Sequence, residues 1–370
     1  MNFKVYGVGK SSKVALFSKE LFGGVFVDDE NVFAICEYND IEIHLFSTEN
    51  INFITSGSFE EHTCLKHKED VQKIYNFILK YVANNGIGIC IFFGSGFPWH
   101  GEFVEKLKTF SYAASFFADD PEGAEKTSQY YVKNFFYAFC GGIYFDERRR
   151  IEEVYKSWGA RKSRFIPLGV SPTKYRKQLN NLTARSVDLV YVGGCYFPKV
   201  LRMFRLKHYF GERMLFYGKG WNESTSLVKT VILRFIKFVY RIPQIEELPK
   251  DKLVDLYQNT KIGFNMHMSF GPSNQRTYEL PANGVMQICD CRDGLKELYE
   301  IDKEVVAYST LESAIRKIEY YLKHDRERVA IAMAGYKKAL GRYKLEISFA
   351  CLLSEIRKDI SKNFRDRYVM

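Results

Sequence analysis

Strand-sized apolar runs separated by amphipathic helical patterns constrain this chain most. "FKVYGV" (3–8), "IEIHLF" (41–46), "IGICIFF" (87–93) and "YAASFFA" (112–118) are bounded by Gly or polar turns, and several are apolar on both faces. Between them, "EDVQKIYNFILKYVANNG" (69–86) places Val71, Ile74, Tyr75, Ile78, Leu79 and Val82 on one stripe and stops at Asn-Asn-Gly. Strand, helix, strand order predicts an α/β fold with parallel sheets. The alternation restarts after the polar stretch "RKQLNNLTARS" (176–186) with "VDLVYV", "RMLFYG", "KIGFNM", "GVMQICD" and "KEVVAYS", and gives way to helical patterns from about 310. A chain of 370 residues exceeds the usual size of one core. The reading is therefore a domain over 1–178, a second over 179–345, and a helix over 346–370 that packs back toward the first.

A formal charge of +10 makes the chain a partner for anions: nucleic acid, an anionic membrane or phosphorylated small molecules. No RNP-like aromatic motif, zinc finger or basic helix-turn-helix pattern supports nucleic acid. The 8 cysteines form no C-x-x-C pair and several sit in apolar runs, as buried thiols of a reducing compartment do. With neither a leader-like start nor a spanning-length apolar run, the expectation is a cytoplasmic protein.

In parallel sheets ligands sit beyond the carboxyl ends of strands, where helix N-termini offer free amides. There, "VYVGGCYFPKVLR" supplies Gly193, Gly194, Lys199 and Arg202, and "FYGKGW" supplies Tyr217, Gly218, Lys219, Gly220 and Trp221. Glycine permits close backbone approach, cations supply countercharge, and an aromatic can stack on a base or sugar. Simple tight turns would read the same way. The stretch "SFGPSNQRTYELPANGV" (269–285) adds more: after a strand ending at Asn265 to His267, Gly271 and Pro272 turn the chain, Ser273 caps a helix, and Asn274, Arg276 and Glu279 lie in its first turns. Arg276 can grip phosphate while Glu279 accepts ribose hydroxyl protons; a solvated Arg–Glu pair is the plainer alternative.

These residues resemble the carboxy-terminal half of CgeB-like, GT-B glycosyltransferases. "YVGGCY", "FYGKGW", the run from "GFNMHMSFGPSNQRTYELPANGVMQICDCRDG" onward and "KEVVAYST" carry the likeness, with "FFADDPEG" and "RFIPLGVSPTKY" from the first half, over roughly residues 110 to 345. The resemblance implies two Rossmann-like domains with parallel sheets facing across a cleft, a nucleotide-diphosphate sugar held by the second domain, an acceptor on the first, and no metal. Carried over, Glu279 holds the ribose, Ser273, Asn274 and Arg276 the diphosphate, Gly218 to Trp221 the nucleotide, and Lys199 and Arg202 the leaving phosphate. Many retaining members have a second glutamate where this chain has Gly271, so retention or inversion stays open. The expected function is metal-independent sugar transfer to a hydroxyl of a glycan, glycolipid or glycoprotein. The alternative is a non-catalytic nucleotide-sugar-binding or envelope/spore-assembly protein.

For the acceptor proton, His100 and Asp120 (or Asp119) follow strands of the first half, and either can equally be a loop residue. His267 is a donor contact or a satisfied structural histidine. "DCRD" (290–293) and "ADDPE" (118–122) lack a magnesium ligand set, so no metal is expected. Finally, "SLVKTVILRFIKFVYRIP" (226–243) gathers Lys229, Arg234, Lys237 and Arg241 opposite Val231, Ile232, Phe235, Ile236 and Val239. Such a face usually packs into a core, which is the expectation here. The other reading is a helix lying on a membrane, with the protein peripheral to its inner face.

Overall fold

In the computed structural model, which describes residues 2–18, 20–21, 25–26, 29–47, 68–94, 101–118, 127–176, 178–267 and 270–364, the doubly apolar runs become strands covered on both faces. The chain divides into two units. One holds Met1–Thr173, Ser269–Gln275 and Arg342–Met370; the other holds Lys174–Met268 and Arg276–Gly341.

The first unit contains β1 (Asn2–Tyr6), β2 (Ser12–Ser18), β5 (Ile41–Ser47), β6 (Ile89–Phe93), β7 (Tyr112–Phe117), β8 (Tyr137–Cys140) and β9 (Ser163–Phe165) in one sheet, order β1-β5-β2-β6-β7-β8-β9. A short ribbon pairs β3 (Glu20–Leu21) with β4 (Val25–Phe26). Every residue of β6 and β7 is buried, the condition their unbroken apolar sequence requires. Over them lies the helix Lys68–Asn84, which buries Val71, Tyr75, Ile78 and Val82 from its apolar stripe. The sheet is parallel except at its edge, where β1 runs antiparallel to β5. Only Gly7–Ser11 separate β1 from β2, too few residues for the crossover that parallel strands need. The last helix, Leu345–Asn363, buries Phe349, Leu352, Leu353, Ile356 and Ile360 in this unit. It is pinned there by Asp359, whose carboxylate accepts from Tyr112 Oη and Lys162 Nζ.

The second unit is wholly parallel: β10 (Val187–Val192), β11 (Met214–Tyr217), β12 (Thr260–Asn265), β13 (Met286–Asp290) and β14 (Val306–Tyr308), in the order β11-β10-β12-β13-β14. The chain lays β11 on one side of β10 and every later strand on the other. The topological switch, where the connecting helices diverge, therefore falls between β10 and β12. Part of the positive charge serves this framework. Buried Arg185 donates to the carbonyls of Thr260 (2.7 Å), Gly284 (2.8 Å) and Asn283 (2.8 Å).

Candidate functional site

Residues at the carboxyl ends of β10 and β12 meet at the switch point. Glycine is required on the β10 side because two groups press on it. A Cβ at Gly193 would lie 2.1 Å from Arg276 Nη1, and a Cβ at Gly218 would lie 2.0 Å from the Gly193 carbonyl oxygen, at a φ of +154°. Gly193 N donates to Tyr217 O (3.0 Å) and Cys195 N to Lys219 O (2.8 Å), so the "GGC" and "YGKG" loops run bonded side by side. A Cβ at Gly194 would meet only Lys219 O, at 3.9 Å, and Lys219 and Gly220 are exposed.

Trp221 corrects an expectation. Its side chain is fully buried against Tyr191, Phe204 and Phe216, and its Nε1 donates to the Gly193 carbonyl at 2.7 Å. An indole used this way is a core wedge beneath the loop, unable to stack on a base.

Arg276 enters from the helix Gln275–Ala282 and crosses the switch point. Its Nε donates to Asn265 Oδ1 (3.0 Å), its Nη1 to Val192 O (2.8 Å), and its guanidinium covers the Tyr191 ring at 4.9 Å. The guanidinium thus ties β10 to β12 and holds its charge at the crevice floor. Beside it the buried Tyr191 hydroxyl has no hydrogen-bond partner among the described residues. Because the helix starts at Gln275, Asn274 and not Ser273 precedes its first residue; both are half-buried, and Gly271 is buried.

Lys199 is only 4% exposed, and its Nζ donates to Met266 O at 2.9 Å. Burial, then the charge of Arg276, brings its ammonium down to a pKa of about 7. Near neutrality it takes or loses a proton according to what lies beside it.

His267 is also buried, and burial lowers its pKa against the opposing pull of Asp290. Its Nδ1 lies 2.7 Å from Asp290 Oδ1, so this nitrogen carries the proton toward the carboxylate, and Nε2 accepts from Thr277 Oγ1 at 2.9 Å. Both ring nitrogens are thereby used inside the protein, which makes His267 a positioning residue for Asp290. Arg292 Nε donates to Asp290 Oδ2 at 2.7 Å. Burial alone would raise the Asp290 pKa, but the hydrogen bonds from His267, with the charge of Arg292, hold it well below the carboxylate range. Both oxygens of Asp290 are thus committed to protein partners.

Outside this knot, Arg202, Arg205 and Arg292 line a cavity of about 470 Å³ with Asp290, Tyr308 and Thr310. A larger one of about 1070 Å³ opens beyond β10 and β11, lined by Phe197, Gly218, Lys219, Gly220, Lys229 and Arg234 among others. Glu279, on the same helix as Arg276, is 7% exposed, with Lys174 at 3.8 Å. Burial raises its pKa, partly offset by Lys174 and Arg276.

The structure therefore brings Gly193, Lys199, Asn265, His267 and Arg276 together, and Arg202 to the rim. Gly218, Lys219 and Gly220 line the neighbouring cavity, and Tyr217 is half-buried behind it. His100, Asp119 and Asp120 lie outside the described residues. Sequence reasoning missed Lys174, Arg205 and the clamp of Asp290 by His267 and Arg292. The available signal is "CDCRD" at the end of an apolar run, which reads as a false metal motif followed by an Asp293-Gly294 turn into the next helix. Among the described residues, no group of three or more His, Cys, Asp or Glu is arranged to hold a metal ion.

Residues 200–354 match the family model described as Glycosyl transferase-like. A search of curated proteins returns no match. The fold is shared with solved structures at low identity. A glycosyltransferase from Rickettsia africae ESF-5 gives a TM-score of 0.63 at 14% identity, covering 96% of this chain and 100% of that one. Sucrose-phosphate synthase from Thermosynechococcus elongatus gives 0.62 at 11%, covering 95% and 100%. Anabaena HepE in complex with UDP and glucose gives 0.59 at 10%, covering 94% and 100%. The chain thus has a GT-B fold, and its residues 200–354 are similar to glycosyl transferase-like sequences.

Proposed function

We propose that this GT-B chain is a glycosyltransferase that draws its sugar from a nucleoside-diphosphate sugar and transfers it to a hydroxyl acceptor without a metal ion. The observation that carries the reading is the buried cationic knot at the β10/β12 switch point. Lys199 and Arg276 are held there at the place where open parallel sheets bind phosphorylated ligands. In the transfer, the bond from the anomeric carbon to the phosphate oxygen breaks, the acceptor oxygen takes its place, and the diphosphate departs with increased negative charge. Lys199 and Arg276, with Arg202 and Arg292 at the rim, supply fixed positive charge to that leaving group. Glu279 accepts from the ribose hydroxyls, and the glycines at 218 and 220 let the nucleotide approach the backbone. HepE was solved with UDP, which puts UDP first among the nucleotides to try. The likeness of 269–294 to CgeB-like enzymes fits the same assignment. His100 and Asp120, which follow β6 and β7 in the chain, are the candidates to take the acceptor proton.

The test is release of nucleoside diphosphate from a panel of UDP-, GDP- and ADP-sugars, with mixed glycan and lipid-linked acceptors, by the native chain and Glu279→Gln. Turnover that falls about a hundredfold in the variant is expected. Failure of every nucleotide to bind would refute the reading. Tight binding without turnover on any acceptor would favour a non-catalytic donor-binding protein.

A further inference from the structure

The helix Leu227–Val239 does not pack its apolar face into the core. Thr230 and Leu233 are its buried residues, whereas Leu227 (79% exposed), Val228, Val231, Ile232, Phe235 (66%), Phe238 (82%) and Val239 stand in solvent. At 100° per residue these seven occupy one continuous arc of about 140°. Exposure of that size on a single helix is far from the scattered apolar residues of an ordinary surface.

Charge identifies what covers it. From Ser224 to Ile245 there is no Asp or Glu, while Lys229, Arg234, Lys237 and Arg241 fall within that stretch. On the helical wheel Arg234 borders one edge of the exposed arc and Lys229, next to Ile236, the other. No ion pair engages any of the four cations among the described residues; Lys237 Nζ instead donates to Asn222 Oδ1 at 2.6 Å. A second copy seated on this helix would bring two sets of cations together with no acid on either helix to offset them. Thirteen residues make a rod of roughly 20 Å, too short to cross a bilayer but suited to lie along one. Accordingly, no helix among the described residues is long and apolar enough to span a membrane.

We propose that the helix Leu227–Val239 is a membrane-docking element that inserts Leu227, Val231, Phe235 and Phe238 among the acyl chains of an anionic bilayer while Lys229 and Arg234 meet the phosphate headgroups. Docking is reversible, because one short helix supplies a single anchoring signal. The inference does not depend on sugar transfer: it rests on exposure and charge alone. Lys229 and Arg234 also line the cavity beside Gly218 to Gly220, so docking sets that cavity against the lipid surface.

The test is co-sedimentation of the full chain with phosphatidylcholine vesicles, with and without about one third phosphatidylglycerol. Binding to the anionic vesicles alone, weakened by high salt and cut about tenfold or more by Phe235→Ser with Phe238→Ser, is expected. Unchanged thermal unfolding of the double variant shows that it still folds. As a second reporter, Phe238→Trp should shift its fluorescence to the blue only with anionic vesicles. No sedimentation with either vesicle, or full retention by the double variant, would overturn the proposal. So would concentration-dependent dimerisation that the double variant abolishes, because the occupant would then be a second copy.

Discussion

Two regions of the carboxy-terminal unit reverse the usual partition of a globular protein in opposite senses. At and beside the β10/β12 switch point, charge is inside: Lys199 and Glu279 are buried and Asp290 is half-buried, each with a few polar partners. On the helix Leu227–Val239, apolar side chains are outside, with Phe238 among the most exposed large apolar side chains of the described residues. Each arrangement costs stability when the protein is alone, and under the two proposals above each cost is relieved by a partner, an anion in the first region and an apolar phase in the second. The lesson is that the departure from good packing, more than the packing itself, marks where this chain acts.

The sharpest contrast sets Trp221 against Phe238, two aromatics seventeen positions apart. Trp221→Ala should cost about 3–5 kcal/mol, since it empties a buried site and removes the donor to Gly193 O. Phe238→Ser should leave stability within about 0.5 kcal/mol. Chemical denaturation of both variants checks this, and equal losses would show that the helix is packed after all.

Next in size is Lys199→Met, which removes a buried ammonium and keeps the apolar stem. It should raise stability by about 1–3 kcal/mol while weakening nucleoside-diphosphate binding about a hundredfold. The ordinary lysine pKa of 10.5 falls to about 7 in the folded chain. The unfolded chain therefore binds more protons between those values, and native stability should climb with pH across that window. The methionine variant should lose that slope, as thermal unfolding at several pH values would reveal. A variant less stable than the native chain would mean the ammonium is well satisfied where it is.

Acid and base set limits on donor affinity from opposite sides. A diphosphate beside Lys199 favours its ammonium, so binding should tighten as pH falls through 8 toward 7. Glu279 accepts from both ribose hydroxyls at full strength only as a carboxylate, and burial raises its pKa, so affinity should weaken again on the acid side. The smallest effect expected is the loss of that acid limb in Glu279→Gln, read by calorimetric titration over pH.

Fold class was legible because β6 and β7 carry almost nothing polar, Ser115 and the Tyr112 hydroxyl apart, and only a sheet covered on both faces accepts such sequences. The antiparallel β1 was harder, since its direction is decided by the length of the following link and not by its own residues. The Gly193–Gly194 and Gly218–Gly220 turns were legible as close-approach positions. The reason, the Arg276 guanidinium against Gly193 and the Gly193 carbonyl against Gly218, joins segments that are far apart in sequence. Trp221 was misread because an aromatic after a Gly-x-Gly turn looks the same whether it faces a ligand or the core. The 226–243 helix was misread for a related reason: amphipathicity shows that a helix has two faces, not which one the protein covers. His267, just past β12, and Asp290, at the end of the adjacent β13, lie 23 residues apart, and nothing local announces that one clamps the other.

The central claim is that the buried charge at the switch point is kept there for a diphosphate. Calorimetric titration of the full chain with UDP near pH 7.5, in two buffers of different ionisation enthalpy, measures both binding and the protons that accompany it. The account predicts saturable binding with net proton uptake, and no uptake in Lys199→Met. Binding with no proton exchange, or with uptake unchanged by that substitution, would contradict it.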